Sequence, residues 1–311
     1  MTRKVFYIKA LVWLVILSAI IAGCNRGGPT PSAAPLTTGP ASQQPQSATS
    51  AQNETPTPFQ PSPTPVALAA SVNGTGIPLS EYQAELARYQ AAQGRELTAE
   101  DRELVLNDLI DQVLLAQAAA QKGFQVEPAE VQARMDSLAD QLGGSQGLMD
   151  WLSENGYVEE DFRRALQRSI ASAWMRDQIA AEVPEQAEQV HVRQILVNTR
   201  TQAEEVLAML RNGQSFESLA EQYSPVTRGD LGWFPRGYLP YPQIEEVAFA
   251  LAPDEISEVI ETPSGFHILQ LIERQEQRTL APDARLALQI QALQKWVEQR
   301  RSQSKIEVFT P

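Results

Sequence analysis

Two short runs in the second half of the chain limit its fold more than any other feature. The first is Arg228-Gly229-Asp230-Leu231-Gly232-Trp233-Phe234, where two glycines bracket an Asp-Leu pair. Glycine reaches backbone conformations that other residues resist, so the chain must turn sharply there or pass close to another segment. The second is Ser264-Gly265-Phe266-His267, a Ser-Gly turn leading into an aliphatic and aromatic strand that extends to Ile272. A further strand pattern runs from Val190 to Val197. In order, the segment reads as a strand, two short helices, the glycine-bracketed turn, a helix and two closing strands.

This ordered set, over residues 189–275, resembles the parvulin-type peptidyl-prolyl isomerases. The resemblance implies a small α/β domain of FKBP-like type on a mixed or antiparallel sheet, assigned here to residues 184–275. It also implies an apolar slot for a proline ring, framed by Leu231, Leu239, Ile244 and Phe249, with Trp233 and Phe234 packed nearby. Ile244 stands where parvulins usually carry Phe, and for Phe249 and Trp233 ordinary core packing is the simpler role. Parvulins typically place a histidine on each of two adjacent central strands. The last-strand position holds His267, in Gly265-Phe266-His267-Ile268, with Ser264 in its usual place. The first-strand position holds Gln194, in Gln194-Ile195-Leu196-Val197. The resemblance therefore assigns the catalytic positions to His267, Gln194 and Ser264. His191 lies three residues before Gln194, an offset that points to the opposite face of a strand. Glutamine hydrogen-bonds like a neutral imidazole but cannot titrate, so it can support His267 without any proton-linked role.

The family also tends to carry a Cys or Asp in the loop before the GDLG run. Here Tyr223-Ser224 is followed by only Pro225-Val226-Thr227 before Arg228, and neither Pro225 nor Val226 supplies such a group. Asp230 reads as a turn and framework residue. The basic cluster of phospho-specific parvulins is not evident, since Asn198 to Arg200 offers a single Arg.

The N-terminus addresses the compartment. Arg3 and Lys4 precede an apolar run, Leu11 to Ile21, too short to span a membrane comfortably. Ile21-Ala22-Gly23-Cys24 then resembles the lipobox of bacterial lipoproteins, which implies a signal peptide over residues 1–23 and a lipid on Cys24, the one cysteine of the chain. The folded part therefore has no disulfide to rely on, although it is expected outside the cytoplasm, anchored to the bacterial cell membrane. Residues 24–65 are rich in Pro, Ser, Thr, Gln and Ala, with Arg26 and Glu54 the only charges, a composition that reads as a disordered tether. Its coil-like reach is roughly 35–40 Å. Losing residues 1–23, with Arg3, Lys4 and Lys9, takes the formal net charge from −13 to −16. Such an acidic chain is poorly suited to nucleic acid and admits basic or apolar clients.

Residues 66–183 read as helical after a small β start. Asn73-Gly74 is a hairpin signal between apolar flanks. Ser80 with Gln83, and Thr98 with Asp101, predict capping boxes that open two helices, to Ala92 and Gly123. Pro128 opens a third, ending near Gly143-Gly144, and a short helix around Leu148 to Leu152 follows. A long helix then carries Phe162, Leu166, Ile170 and Trp174 on one face. At the other end, Pro282 opens a helix with Leu286, Ile290, Leu293 and Val297 at helical spacing, and Lys305 to Phe309 reads as a closing strand. That apolar stripe needs a partner surface, and the N-terminal helical segment is the expected one. Val72 to Ile77, the run Asn155 to Arg163 and the ending Lys305-Ile306-Glu307-Val308 resemble the PrsA-type foldase lipoproteins and the chaperone SurA. The resemblance implies an α+β chain, with a mainly helical chaperone domain formed by residues 66–183, completed by 276–311, and an inserted isomerase domain.

Two His and a single Cys are too few soft ligands for a zinc site, and no nucleophile elbow, P-loop or dinucleotide fingerprint occurs. Neither a metal nor a cofactor is expected. Prolyl isomerisation needs none, because its barrier of about 18–20 kcal/mol is amide resonance. The expected function is a prolyl isomerase and foldase acting on unfolded or proline-containing polypeptides. The alternative is a holdase whose isomerase-like domain grips proline segments without catalysis.

Overall fold

The computed structural model describes residues 66–310. The signal peptide, Cys24 and the tether over 24–65 lie outside the described residues.

Asn73 and Gly74 both adopt positive φ, 51° and 85°, as a tight hairpin turn requires. They join β1 (Leu68–Val72) to β2 (Thr75–Pro78) in antiparallel register. The last strand, β7 (Ile306–Val308), pairs with the other edge of β1, Val72 opposite Ile306 and Ala70 opposite Val308. Asn73 ties the first hairpin to the last of the described residues. Its Nδ2 donates to Gln117 Oε1 at 2.9 Å and Ser304 Oγ at 3.2 Å, and its Oδ1 accepts the Lys305 N–H at 2.9 Å.

Five helices follow: α1 (Leu79–Gln93), α2 (Ala99–Gln121), α3 (Pro128–Gln141), α4 (Ser145–Glu154) and α5 (Glu159–Ala181). The capping box of Thr98 and Asp101 forms, each side chain accepting the other's backbone N–H, at 3.2 and 2.9 Å. The one expected at Ser80 and Gln83 does not form. α1 starts a residue earlier, behind Pro78 and without a side-chain cap. The Leu79 N–H is instead satisfied by the Ala67 carbonyl at 2.8 Å, so the adjoining backbone does the work of a hydroxyl.

The helical core joins Leu115, Ala118 and Ala119 of α2 to Ala171, Met175 and Ile179 of α5. The C-terminal helix α9 (Pro282–Ser302) packs back onto this core through Ala292, Leu293 and Trp296. Arg301 on α9 also bonds Asp111 and Asn107 of α2. The expected apolar stripe on α9 is corrected in one respect: Leu286 is 50% exposed. The apolar contacts of α9 with the helical core come from its C-terminal half, with Gln289 bonding the Ala180 carbonyl of α5 at 3.3 Å ahead of them. A second cluster, Met135, Leu148 and Leu152 with Trp151, Tyr157 and Phe162, joins α3, α4 and α5.

Between α5 and α9 stand β3 (Gln186–Val197), α6 (Arg200–Arg211), α7 (Phe216–Tyr223), β4 (Asp230–Pro235), α8 (Pro242–Ala250), β5 (Ile260–Thr262) and β6 (Gly265–Thr279). They form a four-stranded sheet of order β4-β3-β6-β5 in which every pairing is antiparallel. β3 and β6 are longer than their apolar runs suggest, because they continue as paired arms to Gln186 opposite Thr279. Polar residues in those arms hide the strand from a hydrophobicity pattern. The GDLGWF run is a strand as well as a turn. Ile195, Val197 and Ile268 pack under α6 and α7, and Val190, Val192, Leu269 and Leu271 under α8.

Candidate functional site

Side chains on a strand alternate between faces, so Gln194 of β3 and His267 of β6 share the α8 face with Val192 and Leu269. His267 Nδ1 lies 3.0 Å from Gln194 Oε1, and its Nε2 lies 2.8 Å from Thr262 Oγ1. His267 is only 3% exposed, and burial lowers its pKa from the usual value. A neutral imidazole with its proton on Nδ1 satisfies both contacts, donating to Gln194 and accepting the Thr262 hydroxyl. Thr262 Oγ1 also accepts the Ser264 N–H at 3.1 Å. Ser264 Oγ in turn bonds the Tyr241 hydroxyl, and the Tyr241 ring stands 6.5 Å from the imidazole. A line of hydrogen bonds thus runs from Gln194 through His267 and Thr262 to the exposed Ser264 and the half-buried Tyr241.

Two glycines hold this line in place. A Cβ at Gly229 would lie 2.1 Å from the Gln194 carbonyl oxygen, and the Gln194 N–H bonds the Gly229 carbonyl at 2.8 Å. A Cβ at Gly265 would lie 2.6 Å from the Val197 carbonyl oxygen. Both positions also need positive φ, 76° and 132°. The GDLG run therefore turns and passes close to its neighbour at once.

Beside the hydrogen-bonded line lies an apolar patch. Leu231 and Leu239 are half-buried around Ile244 and Phe249, each 4% exposed. Phe249 meets the fully buried Phe234 edge-on, centroids 6.1 Å apart, and the Arg236 guanidinium lies over its ring, 4.1 Å from the centroid. Ile244 and Phe249 are buried, and Leu231, Leu239 and Tyr241 pack against their cluster partly exposed. Trp233 does not belong here. It faces the other side of the sheet, stacked on His191 at 5.5 Å with Arg278 4.2 Å from its ring centroid. The register opposite β3 alternates Trp233 and Phe234 between the faces, and only Phe234 reaches the α8 side.

His191 is turned away from Gln194 and bonds Asp230 Oδ1 at 2.7 Å. Asp230 also accepts the Gly232 N–H at 2.8 Å. Burial pushes its carboxyl up, but the Gly232 N–H, His191 and Arg193 together bring it below the usual carboxylate value. In the loop before it, Val226 is 95% exposed and Thr227 Oγ1 is engaged by the Gly229 N–H. The nearby cations are matched by glutamates: Arg200 by Glu261, Arg193 by Glu217 and Arg228 by Glu221. Sequence reasoning missed Thr262 and Tyr241. A hydroxyl two residues before Ser264 and an aromatic just ahead of Pro242 were the available signals, and both residue types are common at turns and helix starts.

Residues 179–273 match the family model of the PPIC-type PPIASE domain, and residues 47–176 that of the SurA-like N-terminal domain. The chain is 28% identical over 195 residues to the foldase protein PrsA of Halalkalibacterium halodurans, covering 55% of this chain and 58% of that protein. It is 35% identical over 150 residues to the chaperone SurA of Bordetella avium, covering 41% of this chain and 29% of that one. With PrsA of Geobacillus kaustophilus it shares 27% over 184 residues, 56% of this chain and 63% of the relative. The chain thus spans less than two thirds of the length of each of these relatives.

Proposed function

The chain carries a PPIC-type peptidyl-prolyl isomerase domain together with a SurA-like N-terminal domain, and from that premise we propose that it is a prolyl cis–trans isomerase and foldase chaperone. The observation that carries this reading is the hydrogen-bonded line from Gln194 to Tyr241 running beside the patch of Leu231, Leu239, Ile244 and Phe249. A proline ring rests against Leu231 and Leu239, over the buried Ile244 and Phe249. The Ser264 and Tyr241 hydroxyls, at the open end, meet the rotating amide. Catalysis requires the twisted amide to be bound better than either planar form, and each 1.4 kcal/mol of that preference gives about tenfold in rate. One hydrogen bond made chiefly to the twisted amide supplies about that much. His267, being buried, acts by fixing Thr262 and through it the Ser264 turn. Gln194 holds the imidazole orientation without titrating, so no proton transfer enters the reaction.

Residues 66–183 and 276–311 are assigned to the chaperone part and 184–275 to the isomerase. The pairing of Gln186 with Thr279 supports an inserted sheet that begins near residue 184, and β6 carries it four residues past 275. Clients are unfolded or proline-containing polypeptides, and the formal charge of −13 favours basic or apolar ones. The lipobox-like run ending at Cys24 supports an extracytoplasmic, lipid-anchored protein; a Cys24→Ser change then releases it from the membrane fraction, and unaltered fractionation rejects the anchor. Suppression of aggregation of an unfolded client by the protein, at stoichiometric ratio, tests the chaperone half. Gln194 in place of a histidine favours one second reading, a proline-binding holdase. Acceleration of cis–trans exchange in Xaa-Pro tetrapeptides separates the two: binding without acceleration means holdase.

A further inference from the structure

The partly exposed side of the slot includes the segment 236–241, between β4 and α8, which contributes Leu239 and Tyr241. Glu245 of α8 holds this segment from within. Its carboxylate, 8% exposed, accepts the Gly237 N–H at 2.6 Å and the Leu239 N–H at 2.5 Å. From the other side the segment is held by α9, a helix whose C-terminal half is seated on the helical core. Gln291 Nε2 donates to the Gly237 carbonyl at 2.7 Å, and the Tyr238 hydroxyl bonds the Asp283 carboxylate at 2.7 Å. The approach is close. Gly237 has φ +83°, and a Cβ there would lie 2.6 Å from Gln291 Oε1 and 3.3 Å from Leu288 Cδ2. The hydrogen bond between them raises the Tyr238 pKa and lowers that of Asp283, as expected of a phenol donating to a carboxylate.

α9 is well placed to carry position from one part to the other. Its far end is fixed by Leu293 and Trp296 on the helical core, and by Arg301 on Asp111 and Asn107. Its near end meets the slot segment through polar groups, with Leu286 left half exposed. An exposed hydrogen bond exchanges for water at a net cost of about 0.5–1.5 kcal/mol, small enough to be made or lost with both parts folded.

We infer that Gln291 and Asp283 are positioning residues for the proline slot, so that the seat of α9 on the helical core sets how tightly the slot holds its ligand. This rests on the isomerase reading above. The coupling runs from α9 to Gly237 and Tyr238, then along three residues to Leu239 and Tyr241, and through Tyr241 to Ser264.

The test uses the protein with two single variants, Gln291→Glu and Tyr238→Phe. The first keeps the shape of the side chain but cannot donate to the Gly237 carbonyl; the second removes one hydroxyl. An Ala-Pro tetrapeptide is the probe, with its dissociation constant measured separately from KM and kcat. The dissociation constant and KM rise about three- to tenfold in each variant, the value of one hydrogen bond, while kcat stays within about twofold. Leu286→Gln, on the exposed face of the same helix, leaves all three unchanged. Peptide affinity equal to wild type in both variants overturns the inference. Wild-type binding without acceleration rejects the isomerase reading alone, and the affinity comparison still decides this one. A wild-type protein that neither binds nor accelerates rejects both.

Discussion

Replacing Gly229 by alanine separates two demands that the GDLG run makes on the backbone. Gly229 and Gly232 both have left-handed φ, 76° and 69°. In either, a Cβ costs about 1–2 kcal/mol for conformation alone. They differ in what the new methyl meets. At Gly232 there is nothing within 4 Å, but at Gly229 the Gln194 carbonyl oxygen lies at 2.1 Å and the Ala220 Cβ at 3.1 Å. Neither neighbour is a flexible side-chain end, so β4 must move off β3. That motion breaks the 2.8 Å bond from the Gln194 N–H to the Gly229 carbonyl. A broken bond with its partners left partly buried costs about 1–3 kcal/mol more. Gly229→Ala is therefore expected to lose roughly 2–5 kcal/mol, and Gly232→Ala about 1–2 kcal/mol. For a domain of this size about 1 kcal/mol moves Tm by roughly 4–8 °C, so the two melting points should stand roughly 4–24 °C apart. Urea titration followed by tryptophan fluorescence, with calorimetry beside it, measures the difference. Equal losses in the two variants would refute the close-approach argument and leave backbone conformation as the whole effect.

Asp101→Ala removes the carboxylate half of the α2 capping box and the Arg95 contact, leaving the backbone N–H of residue 101 on Thr98 Oγ1, and is expected to cost about 1–2 kcal/mol in denaturant titration. The Arg95 guanidinium, with help from Thr98, holds the Asp101 carboxyl well below the usual range. Its stabilisation is therefore complete above about pH 4 and is lost as the pH falls further, so Asp101→Asn should flatten acid unfolding. Asn73→Ala deletes three hydrogen bonds that join the hairpin to α2 and the C-terminal segment, and should lower stability by about 1–3 kcal/mol, with amide exchange at Lys305 rising first. His267 is pushed down by burial, so the unfolded chain binds its proton more readily. Stability should thus decline as the pH falls below about 6.5, and His267→Gln should remove that part of the slope. Thr262→Val takes the hydroxyl from between His267 and Ser264 and should cost about tenfold in kcat/KM, with Thr262→Ser restoring most of it.

The sheet and most helices were legible in the sequence because their signals are local. The Asn73-Gly74 turn, the Thr98 capping box and the prolines opening α3 and α9 each act within a few residues. The sharing of one face by Gln194 and His267 follows from strand alternation, and so does the exclusion of His191. What escaped depends on partners distant in sequence. The Ser80 cap failed because Ala67 supplied the acceptor. Leu286 was left exposed because the apolar contacts of its helix with the helical core come from the second half. Trp233 fell on the far face because the register of β4 against β3 decides between two adjacent aromatics. Thr262 and Tyr241 matter only through the turn that brings their hydroxyls to His267 and Ser264.

The most direct test is cis–trans exchange in Xaa-Pro tetrapeptides catalysed by the protein, with Thr262→Val and His267→Leu measured in parallel. Acceleration above the uncatalysed rate that falls in both variants, while their peptide affinity stays close to wild type, is the predicted result. Peptide binding with no acceleration in the wild-type protein would contradict it, and would mean that the hydrogen-bonded line from Gln194 to Tyr241 serves only to hold the fold.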